Sequence, residues 1–238
     1  MASNSNPDTI DKIIKYLAKR EGIDKTLKLI RYSSKLVVAL TATDSNLHQR
    51  CKSIDSSVGV SRKAFRLGKF LQDINSMRKS RATGHLFLLE FLAYGGEGVY
   101  FFLEQAVWLI KTGAMTKTHE KQIVYLSACA EFVGYLGSIS LSFIKLKELT
   151  KLEQSLSEKL TKKREEDGVL DFQLEKKLAA TKGLKALRIA AIIQDFADAA
   201  IAINDIRGGC DPIISHPVTL ALAGLLSGSI SSYKNWTA

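Results

Sequence analysis

Apolar and polar positions along this chain recur at helical spacings and not at the period of two that marks a strand. Ile10, Ile13, Ile14 and Leu17 fall on one face, opposite Lys12, Lys15 and Lys19, which predicts an amphipathic helix. Asn6-Pro7-Asp8 reads as its start: an N-cap, a proline at the first helical position and an acid in the first turn. Past Gly22 the apolar set of Ile23, Leu27, Ile30, Val37 and Val38 turns away by roughly 140° or more at about 100° per residue. Either the helix bends at Gly22 or its two halves meet different surfaces. Lys25, Lys28, Arg31 and Lys35 line the polar side of the second half. A polar linker is expected over residues 41–49, then a third helix after Ser56-Ser57. Val60, Ala64, Leu67, Leu71 and Ile74 form its heptad seam, Phe65 and Phe70 widen it, and Arg62, Arg66 and Lys69 line another side.

Beyond residue 85 the apolar stretches lengthen. Residues 86–110 would measure about 37 Å as a straight helix, enough to cross a bilayer. Yet Glu90, Glu97 and Glu104 recur every seven residues, and a carboxylate near the bilayer centre costs about 2.5 kcal/mol or more. Gly95, Gly96 and Gly98 weaken the middle, so two half-helices meeting at a hinge are expected. Residues 123–144 hold one charge, Glu131, between Lys117, Lys121, Lys145 and Lys147, and make a better span. Residues 145–167 are charged, with Leu149, Leu152, Leu156 and Leu160 at helical spacing, the pattern of an exposed amphipathic helix or hairpin arm. Residues 184–206 are apolar apart from Lys185, Arg188, Asp195, Asp198 and Asp205. Residues 213–232 carry no acid and, apart from His216, no base, and rank first as a transmembrane segment. Gly224-x-x-x-Gly228 offers a small-residue face there for contact with a second copy.

The fold class that follows is all-α, amphipathic helices plus membrane-embedded apolar helices. Proline is absent from residues 8–211, and the single Asp-Gly pair, Asp167-Gly168, lies in a charged run. Four regions are expected: basic amphipathic helices over 1–85, embedded helices over 86–144, a charged exposed region over 145–183, and apolar helices over 184–238 with a span at 213–233.

Composition sharpens this picture in three places. The chain is 46% apolar, and its net charge of +10 implies an anionic partner. Long uncharged helices point to anionic membrane lipids; nucleic acid is not expected, as no zinc-finger, RRM or homeodomain pattern is present. Cys51, Cys129 and Cys210 are widely spaced without a C-x-x-C, so neither a disulfide framework nor a zinc site is expected. Met1 to Asp11 is polar, without the apolar core of a signal peptide, and the terminal Trp236-Thr237-Ala238 is not a soluble peroxisomal address. His48, His85, His119 and His216 lack metal-like spacing, no nucleophile elbow occurs, and Gly95-Gly96-Glu97-Gly98 lacks the Gly-Lys-Ser/Thr of a phosphate loop. An enzyme is not expected, nor a cofactor or metal.

Two runs carry a family resemblance. Arg20-Glu21-Gly22-Ile23-Asp24-Lys25, continuing to Tyr32 and Lys35, and Ser57-Val58-Gly59-Val60-Ser61-Arg62-Lys63-Ala64-Phe65-Arg66-Leu67-Gly68-Lys69-Phe70 resemble the two signatures of the eleventh peroxin family, the peroxisomal membrane-elongation proteins. Ala93-Tyr94-Gly95-Gly96-Glu97-Gly98, Gln194-Asp195-Phe196-Ala197-Asp198 and Lys234-Asn235-Trp236 extend the likeness, in the form of the plant branch. The resemblance implies a multi-pass peroxisomal membrane protein that forms homo-oligomers. It also implies that the protein elongates the organelle and works with a fission machinery of a dynamin-related protein and its membrane adaptor. Carried onto this sequence, the lipid-binding set is Lys25, Leu27, Lys28, Ile30, Arg31, Lys35, Arg62, Phe65, Arg66, Leu67, Lys69 and Phe70, with Gly224 and Gly228 for oligomerisation. Amphipathic helices buried in one leaflet would add area there and bend the bilayer. The alternative is a peroxisomal membrane channel for small metabolites, with the acids of the apolar helices lining a polar path. Glu90, Glu97, Glu104, Asp195 and Asp198 would otherwise pair with Lys185 and Arg188 or lie at the membrane interface.

Overall fold

The computed structural model describes residues 8–167, 171–210, 212 and 214–237. Among them run eight α-helices and one 3-10 turn, with no strand: α1 (Thr9–Ala18), α2 (Arg20–Leu40), α3 (Asn46–Phe65), α4 (Phe70–Lys79), α5 (Gly84–Lys111), the turn Lys117–His119, α6 (Glu120–Asp167), α7 (Phe172–Ile206) and α8 (Pro217–Thr237). The all-α expectation holds.

Helix boundaries follow local chemistry that the apolar pattern does not reveal. Asp8 caps α1, with its side chain and that of Asp11 closing a reciprocal box on the first turn. Asn6 and Pro7, the expected start, lie outside the described residues. The break after α1 falls at Lys19, which is extended, and not at Gly22. Gly22 instead permits a close approach, since a Cβ there would lie 2.0 Å from the Tyr16 carbonyl oxygen and only glycine lets the last turn of α1 fold onto α2. The linker is shorter than expected, because Ser45 caps α3 by accepting from the His48 amide at 3.1 Å. The heptad seam from Val60 to Ile74 is interrupted. Gly68 takes φ of +69°, and three-residue turn bonds over Arg66–Lys69 separate α3 from α4.

No hinge breaks α5. Its Gly96 meets α6, where an added Cβ would lie 2.5 Å from the Gly134 amide nitrogen, and a Cβ on Gly137 would lie 2.4 Å from the Ala93 nitrogen. These glycines bring two backbones together, a use of small residues common between helices in lipid. Helix α6 runs unbroken for 48 residues, about 72 Å, through both the apolar 123–144 stretch and the charged run after it. Its far end and the start of α7 form the hairpin arm, packed through Leu149 and Leu178 and tied by Lys185 to Glu153 at 2.8 Å. The Asp167-Gly168 pair falls at this connection, Gly168 lying outside the described residues.

Six helices close a ring in the order α2, α8, α7, α6, α5, α3, each packed on the next, with α3 returning to α2. Among the described residues α5 and α6 are the helices long and apolar enough to cross a membrane. This inverts the expected ranking of the 86–110 stretch and of 213–232. Ile213 lies outside the described residues, and α8 is diluted by Thr219, Ser227, Ser229, Ser231 and Ser232. Phe87, Leu88, Phe91, Val99 and Phe102 of α5, and Leu126, Val133 and Leu136 of α6, face outward. The three carboxylates of α5 do not share that face: Glu104 is buried and Glu90 half-buried, whereas Glu97 is exposed.

Candidate functional site

The basic residues of α2 and α3 turn into the ring. Lys25, Lys28 and Arg31 recur at three-residue spacing on α2, and Arg62, Arg66 and Lys69 at spacings of four and three along α3 and the turn after it. Between the two rows sits Asp24, one carboxylate shared by three cations. Arg62 and Arg66 each donate through Nε to its Oδ1 at 3.1 Å, and the Lys25 ammonium lies 3.7 Å from Oδ2. Burial disfavours the charged carboxylate, but Arg66, then Arg62 and Lys25, outweigh it and hold its pKa well below the usual range. Arg66 also donates to the Tyr100 hydroxyl at 2.8 Å and lies 3.8 Å from Glu104, which is bonded to Lys63. Lys28 donates to Asp198 at 2.7 Å, and the Ser227 hydroxyl donates to the same carboxylate. Arg31 bonds Asp55 at 2.8 Å across the α2–α3 contact. Gly59 leaves room for that guanidinium, which a Cβ would approach to 3.3 Å.

The same two rows line a cavity of about 560 Å³ inside the ring. Its opposite wall is acidic, with Glu97, Glu104, Glu131, Asp195 and Asp198 from α5, α6 and α7. Asp195 accepts from the Ser138 hydroxyl at 2.7 Å, and Glu90 accepts from Ser80. Pairing therefore differs from the sequence expectation: Lys185 holds Glu153, while Lys28, Lys63 and Arg66 hold Asp198 and Glu104. Burial pushes the Lys25 ammonium down to about 7, helped by Lys69 and opposed by Asp24.

The twelve residues expected at lipid thus part into two groups. Lys28 and Arg62 are buried, and Lys25, Arg31, Lys35, Arg66 and Lys69 are half-buried, Lys35 over the Tyr32 ring and Lys69 over that of Phe101. Ile30, Phe65 and Leu67 are exposed, Leu27 and Phe70 half-buried, and Phe70 packs edge-on against Phe102 at 5.5 Å. Gly224 and Gly228 face α2 of the same chain, not a free surface. A Cβ on Gly224 would lie 2.1 Å from Tyr32 Cδ1, and one on Gly228 would lie 2.9 Å from Leu29 Cδ2. Two features went unread in the sequence. Asp24 is the lone acid on the basic stripe, four residues before Lys28 and seven before Arg31, which was the available signal. Helix α1 has no buried residue at all: Ile10, Ile13, Ile14 and Leu17 are exposed together, and it is held to α8 through Tyr16 against Trp236 and Lys19 to the Asn235 carbonyl.

Apolar side chains outside, ion pairs inside and two helices able to cross a bilayer define a helical membrane protein with a charged interior. The family model described as Peroxisomal biogenesis factor 11 (PEX11) matches residues 10–236, so the chain belongs to that family. It is 43% identical over 234 residues to Peroxisomal membrane protein 11A of Arabidopsis thaliana, covering 96% of this chain and 93% of the relative. Peroxisomal membrane protein 11-3 of Oryza sativa subsp. japonica is 42% identical over 223 residues, covering 94% and 87%. No solved structure matches. The chain is a peroxisomal membrane protein of a family of biogenesis factors.

Proposed function

We propose that this protein elongates the peroxisomal membrane by wedging α1 into one leaflet, with α5 and α6 as its anchor, ahead of division by the organelle's fission machinery. The observation that carries this reading is α1: four large aliphatic side chains exposed on one face, Lys12 and Lys15 on the other, and no buried residue. Moving the exposed parts of Ile10, Ile13, Ile14 and Leu17 into lipid contributes about 4 kcal/mol. The lysines then meet anionic headgroups at about 1 kcal/mol each. Exposed Ile30, Phe65, Leu67, Leu71 and Ile74 extend the lipid contact, while the basic residues of α2 and α3 brace the helices from within. Self-association of wedged copies would concentrate the added area. The test is peroxisome length on overproduction at matched expression. Ile10→Asp with Ile14→Asp is expected to abolish elongation while leaving the protein on peroxisomes; elongation equal to the parent's would refute the wedge.

A second reading, a channel for small metabolites, is favoured by the charged cavity within the ring. Conductance of the purified protein in planar bilayers, altered by Glu97→Gln with Asp195→Asn, would support it. A silent bilayer would remove it.

A further inference from the structure

The cavity's basic wall carries more positive charge than its neighbours neutralise. Asp24 is one carboxylate serving Lys25, Arg62 and Arg66. Among the described residues the ion partners of Lys69 are distant and half-exposed, Glu21 at 3.8 Å and Glu97 at 3.9 Å. Most telling is Arg62. Its residue is 5% exposed and its Nε is bonded to Asp24, yet its Nη2 has no hydrogen-bond partner among the described residues. A guanidinium N–H removed from water without an acceptor is costly, so this group marks where an acceptor belongs. The buried hydroxyl of Ser127, a residue that also lines the cavity, is likewise without a partner among the described residues.

We propose that the cavity binds a phosphate-bearing anion, held by Arg62 Nη2 with the ammonium groups of Lys25 and Lys69. A planar guanidinium beside two ammonium groups suits a tetrahedral dianion with several acceptor oxygens. The volume, about 560 Å³, exceeds that of a bare ion, so the phosphate is an ester whose remainder fills the space. Its source is either a lipid headgroup or a soluble phosphomonoester, both presenting the same oxygens. The Lys25 pKa, depressed by burial first and by Lys69 second, agrees, because a bound anion would offset both. This site is separate from the α1 wedge, and either idea can fail alone.

The test uses the full chain in nanodiscs and reads its unfolding midpoint. In phosphatidylcholine discs, added inorganic phosphate is expected to raise the midpoint, which shows that the phosphate group itself is bound; if discs containing phosphatidic acid then give no shift, the source is a soluble ester. In discs containing phosphatidic acid, a raised midpoint without added phosphate identifies the headgroup. Lys25→Gln with Lys69→Gln is expected to weaken the dose response at least about tenfold, the scale of one lost charge-assisted contact. Lys159→Gln with Lys162→Gln, which removes the same charge from the exposed arm, is expected to leave it unchanged. Lys69→Gln alone, whose ion partners are distant, serves if the double variant is unstable. No midpoint shift in either disc, or an equal shift in the cavity variants and the parent, overturns the proposal.

Discussion

Replacing Asp24 by asparagine tests the charged interior at its centre. The change keeps the side chain's shape and removes the one negative charge between Arg62, Arg66 and Lys25. Side-chain exposures are 6% for Asp24 and Arg62, 13% for Arg66 and 16% for Lys25, so water offers little screening. Breaking one partner out of a buried ion pair costs about 3–5 kcal/mol, because the remaining charges stay buried without compensation. For a chain of this size each kcal/mol moves the thermal midpoint by about 2–4 °C, giving a fall of about 6–20 °C. Asp55→Asn is the reference, since its pair with Arg31 is 27% and 29% exposed and should contribute about 0.2–1 kcal/mol. The assay is thermal unfolding of the full chain in detergent, followed by far-UV circular dichroism across pH. Because the folded Asp24 titrates well below its unfolded pKa of 3.8, its contribution is complete above that value and lost as pH falls below it. The gap between parent and Asp24→Asn should therefore keep its Arg62 and Arg66 share up to pH 8, lose its Lys25 share as that ammonium deprotonates near pH 7, and narrow under pH 4. Adding Arg62→Gln to Asp24→Asn should recover part of the loss. A midpoint within about 2 °C of the parent's would refute the shared-carboxylate account.

Two further expectations follow from packing and burial. Gly96→Ala should destabilise the chain by about 2–4 kcal/mol, because its Cβ meets α6 backbone that cannot move away, whereas Gly95→Ala, with open space around it, should gain about 0.5–1 kcal/mol of helix propensity. Equal midpoints for the two variants would count against the close α5–α6 approach. Asp73 is buried with an Oδ2 that has no partner among the described residues, and burial, then Glu97, pushes its pKa up to about 7. Parent stability should thus fall as pH rises from about 4 to 7, and Asp73→Asn should stabilise the chain at pH 8 by on the order of 2–4 kcal/mol, read as a raised midpoint, with little gain at pH 4.

Much of this protein was legible in the residue order because helical periodicity is a local property. The spacing of Ile10, Ile13, Ile14 and Leu17, the lack of proline from residue 8 to 211, and the long apolar stretches determined an all-α membrane protein. The two signature runs pointed to its family. Periodicity says which residues share a face but not what that face meets. Lys25, Lys28, Arg31, Arg62 and Arg66 read as a surface stripe until α2 and α3 turned them toward Asp24, Asp55, Glu104 and Asp198, the last two 80 and 174 residues beyond Asp24 in the chain. In water a basic stripe faces outward because hydration of the charges favours it. Inside the ring of helices, ion pairing replaces that hydration and the preference reverses. Glycine was equally ambiguous: Gly96 read as a hinge, yet α6 packed against it made it a contact that keeps α5 whole. Such distant partners are set by how the helices close the ring, and only the tertiary structure decided them.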